Sequence, residues 1–420
     1  MESSDRPTIS PLRLAGYAFA STSSFVLCRS VADAVVLTRL GTDALPLMLI
    51  LGAVVVGCVS AIWARQTRQY SVSLVVLITQ VSASVCTALL LTAIQIWPQS
   101  MLVICGLYLL AEIRGCLGTI IIAILLNEGT KRNSDKGRFA FANTGAPLAG
   151  IVTGLFITAE ATQLHSTNLL AISCLVDIAG WLAVSRWGFW AELWSGPNRV
   201  KAQASPTFLT SASEKQNANQ PPTRFANALL MLVVCKVTVL GIVSFEWKVY
   251  AHEAFPESEE ELTAYFGSFY AITDGLTLAI QLLVTRFFLK RKGVVISLLL
   301  LPVYLAALGI ASLFFDDVAV LFWLLTFARG SLVLRRGLDD VVLQVLYGWL
   351  PVRSRRQTVS RILGVAKPIA EAGVAAGILI LTAFMSPSRL AWVWLPVLLF
   401  WLYSLVRLVR SWKRLEHERH

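Results

Sequence analysis

Charged residues are scarce in this chain. Only 15% of its 420 residues are Asp, Glu, Lys or Arg, whereas 56% are hydrophobic and the mean hydropathy is +0.67. Soluble globular domains carry about 25% charged residues, so this composition excludes an ordinary soluble enzyme or binding module. The net charge is +11, but the charges cluster in short loops between apolar runs rather than in a basic soluble domain. We therefore predict a membrane protein that does not bind nucleic acid.

Several sequence motifs that carry chemistry are missing as well. The seven cysteines all lie in apolar stretches and form no C-x-x-C pair, which excludes a disulfide framework or a cysteine metal site. The four histidines lie in loops or in the tail, so a buried histidine relay is not expected. No G-x-x-x-x-G-K-[ST] motif is present, so the chain does not energise itself with ATP. We predict no enzymatic activity, no cofactor and no metal.

Long apolar runs dominate the rest of the sequence, and runs of about 20 apolar residues are typical of membrane helices. Six such spans are predicted before residue 188 and six after residue 224. The first six are Leu12–Ala34, Leu45–Ala64, Ser71–Ile96, Gln99–Leu126, Phe139–Thr158 and Asn168–Arg186. The second six are Phe225–Ala251, Leu262–Leu283, Val294–Leu313, Val318–Tyr347, Ile362–Met385 and Leu390–Val409. The first run is long enough to remain as an anchor, so no cleaved signal peptide is expected.

The stretch 188–224 is the longest polar segment and lies near the midpoint of the chain. It is rich in Ser, Asn, Gln, Pro and Lys, a composition that does not support a packed core. We therefore predict an all-α membrane protein with twelve transmembrane helices, arranged as two pseudo-repeated six-helix bundles. Its predicted parts are an N-terminal bundle over 1–187, a cytoplasmic linker over 188–224, a C-terminal bundle over 225–411 and a basic tail over 412–420.

The basic residues outside the spans or close to span ends fall almost entirely on one side of the predicted membrane. That side carries 26 Lys and Arg residues, and the other side carries two, Arg39 and Arg389. The opposite side instead carries the acidic loop 253–261. Because cytoplasmic loops are enriched in Lys and Arg, both termini and the linker are predicted to be cytoplasmic, in a membrane of the bacterial inner-membrane type.

The two halves share a local pattern. Each has a proline early in its fifth span, Pro147 in A-P-L-A-G-I-V-T-G and Pro368 in K-P-I-A-E-A-G-V-A-A-G, and each proline follows a basic loop. With six spans in each half, this pattern favours two related bundles over one array of twelve helices.

Sixteen charged residues lie inside the predicted spans, apart from Arg13, Arg186 and Arg407 close to span ends. The basic ones are Arg29, Arg114, Lys236, Lys248, Arg329, Arg335, Arg336 and Lys367, and the acidic ones are Asp33, Glu112, Asp177, Glu246, Asp274, Asp339, Asp340 and Glu371. A charge that faces lipid is costly, so these side chains should point inward, form pairs or line a wet cavity. Snorkelling to the headgroups is an open alternative for Lys248, Arg335, Arg336, Asp339 and Asp340.

Spacing within the helices suggests particular pairs. Arg29 and Asp33 are four residues apart, as are Lys367 and Glu371, which places each pair on one helical face. A structural salt bridge between helices remains an alternative to a functional role for these pairs. Lys236 and Arg329 have no obvious partner in sequence, which favours contact with a solute or a gate.

Twelve spans divided by a cytoplasmic linker resemble the major facilitator superfamily, although its acidic-Arg signature loops are degenerate here. Three stretches are similar to the ATP/ADP translocase-type, non-mitochondrial nucleotide transporters and their bacterial relatives of unassigned substrate. These stretches are F-E-W-K-V-Y-A-H-E-A-F-P at Phe245–Pro256, L-A-E-I-R-G…L-L-N-E at Leu110–Glu128 and L-G-V-A-K-P-I-A-E-A-G at Leu363–Gly373. The similarity extends over most of the chain.

The resemblance implies nucleotide exchange, with Glu112 and Lys367 at charged positions that the family uses to handle nucleotides. Two departures bear on the substrate. The family has a Lys shortly after the proline that opens its second helix, whereas Pro46 is followed here by apolar residues. The acidic residue that the family has three positions before its Trp is replaced by Ser244, while Glu246 directly precedes Trp247. The missing cation weakens the case for a triphosphate.

We therefore predict a secondary transporter, an antiporter by the family resemblance, of a small anionic solute, first of all a nucleotide or another phosphorylated or carboxylated metabolite. The residues predicted to bind the solute are Lys367, Glu112, Arg114, Arg329, Lys236 and Arg29. The residues predicted to serve coupling or gating are Asp33, Glu246, Lys248, Glu371 and Asp274. The alternative is a transporter-like subunit or assembly factor of a larger complex, with a protein partner at the 253–261 loop or the linker and no solute flux.

Overall fold

The chain is helical throughout the part that the structure, a computed structural model, describes. The described residues are 11–69, 72–129, 144–161, 163–185, 223–256, 258–284, 293–348, 358, 362, 366–386 and 389–417. No strand occurs among them, so the prediction of an all-α protein is confirmed. The predicted linker lies outside the described residues except for its last two positions.

Six α-helices precede the linker in the described part of the chain. They are α1 (Pro11–Leu40), α2 (Leu45–Gln69), α3 (Val72–Ile96), α4 (Met101–Gly129), α5 (Gly145–Glu160) and α6 (Ser166–Ser185). A 3-10 turn, Thr42–Ala44, joins α1 to α2, and Gly41 before it has a φ of 77°, which favours glycine. Pro147 lies in the first turn of α5, where a proline leaves no intrahelical hydrogen bond unmade.

After the linker, the described residues form six helical runs. They are α7 (Thr223–Ala254), α8 (Glu259–Ala279), α9 (Gly293–Ser312), α10, α11 (Lys367–Thr382) and α12 (Ala391–His417). The run α10 consists of Val318–Gly330, Leu332–Leu334, a π-helical turn Arg335–Asp339 and Asp340–Gly348. Pro368 is the second residue of α11, which matches the place of Pro147 in the first turn of α5.

Nine helices among the described residues are long and apolar enough to cross a membrane. Two shorter apolar helices, Gly145–Glu160 and Thr167–Gly180, accompany them. The composition and the helix lengths therefore indicate a multi-pass membrane protein. The count of twelve crossings stays a prediction.

The chain divides into two compact units, and neither is a continuous stretch of sequence. Unit 1 consists of residues 1–40, 58–209 and 258–275, and unit 2 of residues 41–57, 210–257 and 276–420. The helices α2 and α8 each contribute to both units. The domain boundaries predicted from the sequence stay a prediction.

The helix α1 forms the centre of unit 1. Of its membrane-spanning part, 78% is buried, and it packs against α4, α5 and α6. Small residues on α1 allow this close contact from several directions, since Ala18, Ala32 and Ala34 have no exposed surface. In unit 2, α7 has the corresponding role and packs against α10, α11 and α12.

Glycines let α5 and α8 approach each other within unit 1. A Cβ atom at Gly154 would overlap the carbonyl oxygen of Gly267 and lie 2.7 Å from the backbone nitrogen of Ala271. A Cβ atom at Gly150 would overlap the carboxylate of Asp274. Any larger residue at these two positions would therefore push the helices apart.

Two π-helical turns face each other in unit 2, Ile280–Val284 at the end of α8 and Arg335–Asp339 in α10. Gly337 makes the approach possible, because a Cβ atom there would lie 2.7 Å from Ile280 Cγ2. The sequence predicted an uninterrupted span through this part of α10. The wider turn at 335–339 shifts the residues that follow around the helix axis, and such turns are common at functional sites.

Replacement of Gly154 by Ala is expected to destabilise the protein. The added methyl group meets backbone atoms that cannot rotate away, and overpacking of this kind costs about 1–3 kcal/mol. The same change at Gly377 of α11 is the control, because no atom lies within 4 Å of its Cβ position and Ala favours a helix by about 1 kcal/mol. Thermal unfolding of the detergent-purified variants measures both effects. A Gly154→Ala variant as stable as Gly377→Ala would contradict the close approach of α5 and α8.

Candidate functional site

Arg114 lies in a closed polar network inside unit 1. Its Nη2 atom is 2.5 Å from Asp177 Oδ2 of α6, and it also donates to the Thr87 hydroxyl at 2.6 Å. The Nη1 atom donates to the Ser24 hydroxyl of α1, and Gln80 Nε2 donates to Asp177 Oδ1 at 2.9 Å. Both members of the ion pair are almost fully buried. The sequence predicted a solute contact for Arg114, whereas the geometry shows a guanidinium held by three neighbouring helices, α1, α3 and α6.

A second cluster, the α1–α4 cluster, consists of Arg29, Asp33 and Glu112 with the ring of Tyr108. Arg29 Nε lies 2.9 Å from Asp33 Oδ2, and Arg29 Nη1 lies 2.5 Å from Glu112 Oε1. The guanidinium carbon lies 4.9 Å from the centroid of the Tyr108 ring, a favourable cation–π distance. Asp33 is fully buried, but the Glu112 side chain is 30% exposed. The cluster therefore brings together three residues predicted for the site. The most accessible of them is Glu112, which presents a carboxylate.

A third cluster, the α7–α10 cluster, is built around Lys236 in unit 2. Its ammonium lies 2.7 Å from Asp339 Oδ2 and 2.9 Å from Asp340 Oδ1. Arg335 Nε lies 3.8 Å from the other oxygen of Asp340. Asp339 is buried, so the snorkelling alternative does not apply to it. The prediction that Lys236 is unpaired was wrong.

The sequence missed the Lys236 partners for a geometric reason. Asp339 and Asp340 are adjacent, so a regular α-helix would direct them about 100° apart. The π-helical turn ends at Asp339 and the α-helix resumes at Asp340, where both carboxylates meet one ammonium. The doubled aspartate on a predicted span was the only sequence signal for this arrangement.

The clusters repeat a pattern between the two halves of the chain. In the first half, a cation on the first helix, α1, pairs with a carboxylate on the fourth, α4. In the second half, a cation on the first helix, α7, pairs with carboxylates on the fourth run, α10. This parallel agrees with the predicted repeat of the two halves. It involves residues other than Pro147 and Pro368, on which that prediction was based.

Lys367 and Glu371 form a looser pair on α11. Lys367 Nζ lies 3.7 Å from Glu371 Oε1, and the two side chains are 47% and 42% exposed. Lys367 also interacts electrostatically with Asp340, and Glu371 with Arg335. The pair therefore adjoins the α7–α10 cluster. The described α-helix begins at Lys367, and residues 363–365, which the sequence places in the same span, lie outside the described part.

Four other residues predicted for the site lie on α7, α8 and α10. Glu246 is buried on α7 and accepts a hydrogen bond from Trp394 Nε1 at 2.9 Å. Arg329 lies with its guanidinium carbon 5.4 Å from the centroid of the Trp247 ring. Lys248 is buried near the end of α7, and Asp274 is buried against Gly150. Among the described residues, no group of three or more His, Cys, Asp or Glu side chains is arranged to hold a metal ion.

Part of the acidic 253–261 loop is engaged within unit 1. Arg39, in the last turn of α1, lies 2.9 Å from Glu259 of α8 and donates to the Pro98 carbonyl at 2.6 Å. His165 Nδ1 lies 3.6 Å from Glu260 Oε1. These contacts tie the start of α8 to elements of the first half of the chain.

Loss of Arg114 should destabilise the protein rather than only impair binding. The change Arg114→Met leaves Asp177 ionised and buried without its cation, a defect that costs about 3–5 kcal/mol. The double variant Arg114→Met, Asp177→Leu should recover much of this loss because it removes the stranded charge. Chemical unfolding in detergent measures the three free energies, with Arg410→Met on the exposed face of α12 as the control. Equal stability of Arg114→Met and the control would show that the network is not structural.

Comparisons with known proteins then address the fold. No family model matches the sequence, and no curated protein matches it. Solved structures do match. A peptide transporter of the POT family has a TM-score of 0.68 at 13% identity, covering 96% of this chain and 95% of its own. The POT family transporter PepTSo has a TM-score of 0.64 at 10% identity, with coverages of 97% and 98%.

The nucleoside transporter NupG is a third match, with a TM-score of 0.60 at 12% identity, covering 97% of this chain and 100% of that one. The matches extend over nearly the full length of both chains, so they are not limited to one helix bundle. At these identities they establish the architecture alone, and similarity to the ATP/ADP translocase type is not among these matches. The chain therefore has the fold of major facilitator-type transporters.

Proposed function

We propose that this protein is a secondary transporter that moves a small solute across a membrane by alternating access. The fold supports a transporter, since the solved structures that match it along its whole length transport peptides or nucleosides. The observation that carries the proposal is the Lys367–Glu371 pair. It is loose and half exposed, whereas the Arg114–Asp177, Arg29–Asp33 and Lys236–Asp339 contacts are short and largely buried.

The difference between closed and loose pairs indicates where a solute can bind. Lys236 is already saturated by two carboxylates, and Arg114 by one carboxylate and several hydroxyl groups. Among the described residues, Lys367 has one ion-pair partner within 4 Å, Glu371 at 3.7 Å, and an anionic group can displace it without stranding a buried charge. We therefore place the anionic group of the solute on Lys367, with Glu371 as the ion that holds the lysine between transport cycles.

This placement limits the charge of the solute. One accessible ammonium suits a single carboxylate or phosphate better than a triphosphate, since three phosphates need several cations or a metal. A nucleotide of low charge remains the first proposal, and another phosphorylated or carboxylated metabolite is the second. Glu112 is the accessible group of the α1–α4 cluster and is proposed to contact a hydrogen-bond donor of a solute.

Glu246 is suited to a coupling role. Its carboxyl group is buried and accepts a hydrogen bond from a neutral indole, so a change of its charge would not break an ion pair. A carboxyl group inside a membrane helix is costly to maintain and marks ion or proton pathways in many transporters. We propose that Glu246 takes up and releases the coupling ion, and we assign supporting roles to Asp33 and Lys248.

The contacts at the start of α8 are proposed to form a gate. The ion pair between Arg39 and Glu259 joins a helix of the first half to a helix of the second half. The Gly150–Asp274 and Gly154–Gly267 contacts join α5 to α8 in the same unit. In alternating access, contacts between the halves on one side must break when that side opens. Asp274 is therefore assigned to gating rather than to solute binding.

The alternative, a membrane subunit or assembly factor without flux, is less well supported. The matching solved structures named above are of transporters, and part of the acidic loop proposed as a docking surface in this alternative is engaged within unit 1. The cytoplasmic position of both termini, a bacterial-type inner membrane and exchange of solutes are further parts of the proposal.

The variant Lys367→Ala is expected to abolish solute binding while the folded protein still accumulates. Binding is measured as the shift in melting temperature that a panel of nucleotides, sugar phosphates and dicarboxylates produces on the purified protein. The wild type should respond to at least one anion, and the variant should lose that response. Arg389→Ala, an exposed arginine between α11 and α12, is the matched control and should keep it.

Two further variants separate a functional from a structural role for Lys367. Glu371→Ala should preserve or strengthen anion binding, since it removes the competing carboxylate. If Lys367→Ala instead unfolds the protein, and Lys367→Ala with Glu371→Ala restores both folding and the response to the anion, the pair is structural and the proposed site is wrong.

The orientation in the membrane is tested by labelling single cysteines in intact cells, after replacement of the seven native cysteines. An impermeant maleimide should label Ser258→Cys at the start of α8 from outside and should not label Ala212→Cys, which lies in the linker. Permeabilised cells serve as the control, because both positions should then react. Labelling of position 212 in intact cells would overturn the proposed topology.

A further inference from the structure

A cavity of about 280 Å³ lies within unit 1, apart from the Lys367 site and the α1–α4 cluster. Val59, Ile62 and Trp63 of α2 form one wall, and residues 78–86 of α3 form the other. Residues of α1 and α4 and Asp177 of α6 form its floor. Its volume is just below the range of about 300–1,000 Å³ typical of small-molecule sites, so a whole nucleotide or peptide does not fit.

The mouth of the cavity opens toward the bilayer. Ile62 is 57% exposed and Ile78 is 53% exposed, and both line the cavity. Only 11% of the membrane-spanning part of α3 is buried, the lowest share among the nine candidate spans. Apolar side chains so exposed on a spanning helix face hydrocarbon, and lipid therefore reaches the cavity directly.

The charged groups at the floor are paired with each other, although the buried Arg114 Nε and Tyr17 Oη atoms have no hydrogen-bond partner among the described residues. Arg114 and Asp177 neutralise each other, and Gln80 donates to the same aspartate. A ligand consequently needs no charge at its buried end. The rest of the cavity lining is mainly apolar. An apolar cavity does not hold water well, and the walls of an empty cavity lack dispersion contacts on one side.

The cavity lies at a definite level in the membrane. Trp63 Nε1 donates to Thr79 Oγ1 at 3.1 Å and bridges α2 and α3 near their predicted cytoplasmic ends. The helix α2 continues from Trp63 to Gln69, about 9 Å, so a headgroup would lie on the cytoplasmic side of this bridge. From Ile78 to Cys86, α3 rises about 12 Å, which is the length available for a hydrocarbon chain.

From these observations we infer that the cavity between α2 and α3 binds one acyl chain of a phospholipid from the cytoplasmic leaflet. The chain fills the space against Ile62, Ala83 and Leu117 and covers the Arg114–Asp177 ion pair. The helix α2 belongs to unit 1 only from residue 58 onward. An occupant of this cavity therefore stabilises this second part of α2 within unit 1. The inference does not depend on which solute is transported.

The test uses the full-length protein in vesicles that contain a phospholipid with a photoreactive diazirine in the middle of one acyl chain. After irradiation, peptide mapping should find the label concentrated on the parts of α2 and α3 that line the cavity. The variant Ala83→Phe, which fills the cavity, should lower this labelling several-fold. The matched control is Ala88→Phe, five residues further along α3 and exposed outside the cavity, which should leave it unchanged.

Two results would overturn the inference. One is equal labelling of all exposed apolar helix surfaces with no effect of Ala83→Phe, which would show non-specific lipid contact only. The other is labelling of the cavity by a diazirine-bearing free fatty acid but not by the phospholipid. Circular dichroism and melting temperature confirm that both variants are folded. If Ala83→Phe does not fold, Ile62→Phe at the mouth replaces it, with loss of the cavity labelling as the expected result.

Discussion

The structure depends on one constraint, the cost of placing ionic groups in a hydrocarbon environment. An unpaired charge in that environment loses its hydration and is strongly destabilising, so a helix that carries one must place it against a countercharge. The described structure satisfies this requirement by contacts between helices. Arg29 binds carboxylates on α1 and α4, Lys236 binds two on α10, and Arg114 binds one on α6.

This constraint also explains why α1 and α7 are the most buried helices of their units. A helix that carries a cation near its middle is stable only when other helices surround it and provide carboxylates. Both helices have small or β-branched residues on several faces, which allows neighbours to approach from more than one direction. The cations are therefore located where the packing is tightest, and their pairs contribute to the choice of neighbouring helix.

The pairs differ in how firmly they are held, and that difference separates stability from function in our interpretation. Arg114 and Asp177 are enclosed and bonded by several groups, so they join helices permanently. Lys367 and Glu371 are accessible and separated by 3.7 Å, so they can exchange partners at low cost. Glu246 has a neutral partner and can change its charge without disrupting an ion pair.

The sequence by itself determined the class of protein and much of its helix order. Long apolar runs set the spans, and the i, i+4 spacing predicted the pairs Arg29–Asp33 and Lys367–Glu371, since both properties depend on residues close together in the chain. Only the tertiary structure decided the partners of Lys236, because a π-helical turn changed the direction of Asp339 and Asp340. The tertiary structure also decided the pairing of Arg114 with Asp177, which is 63 residues further along the chain. It likewise decided the existence of the cavity between α2 and α3. These features depend on which helices become neighbours, and side-chain packing over long sequence separations determines that choice.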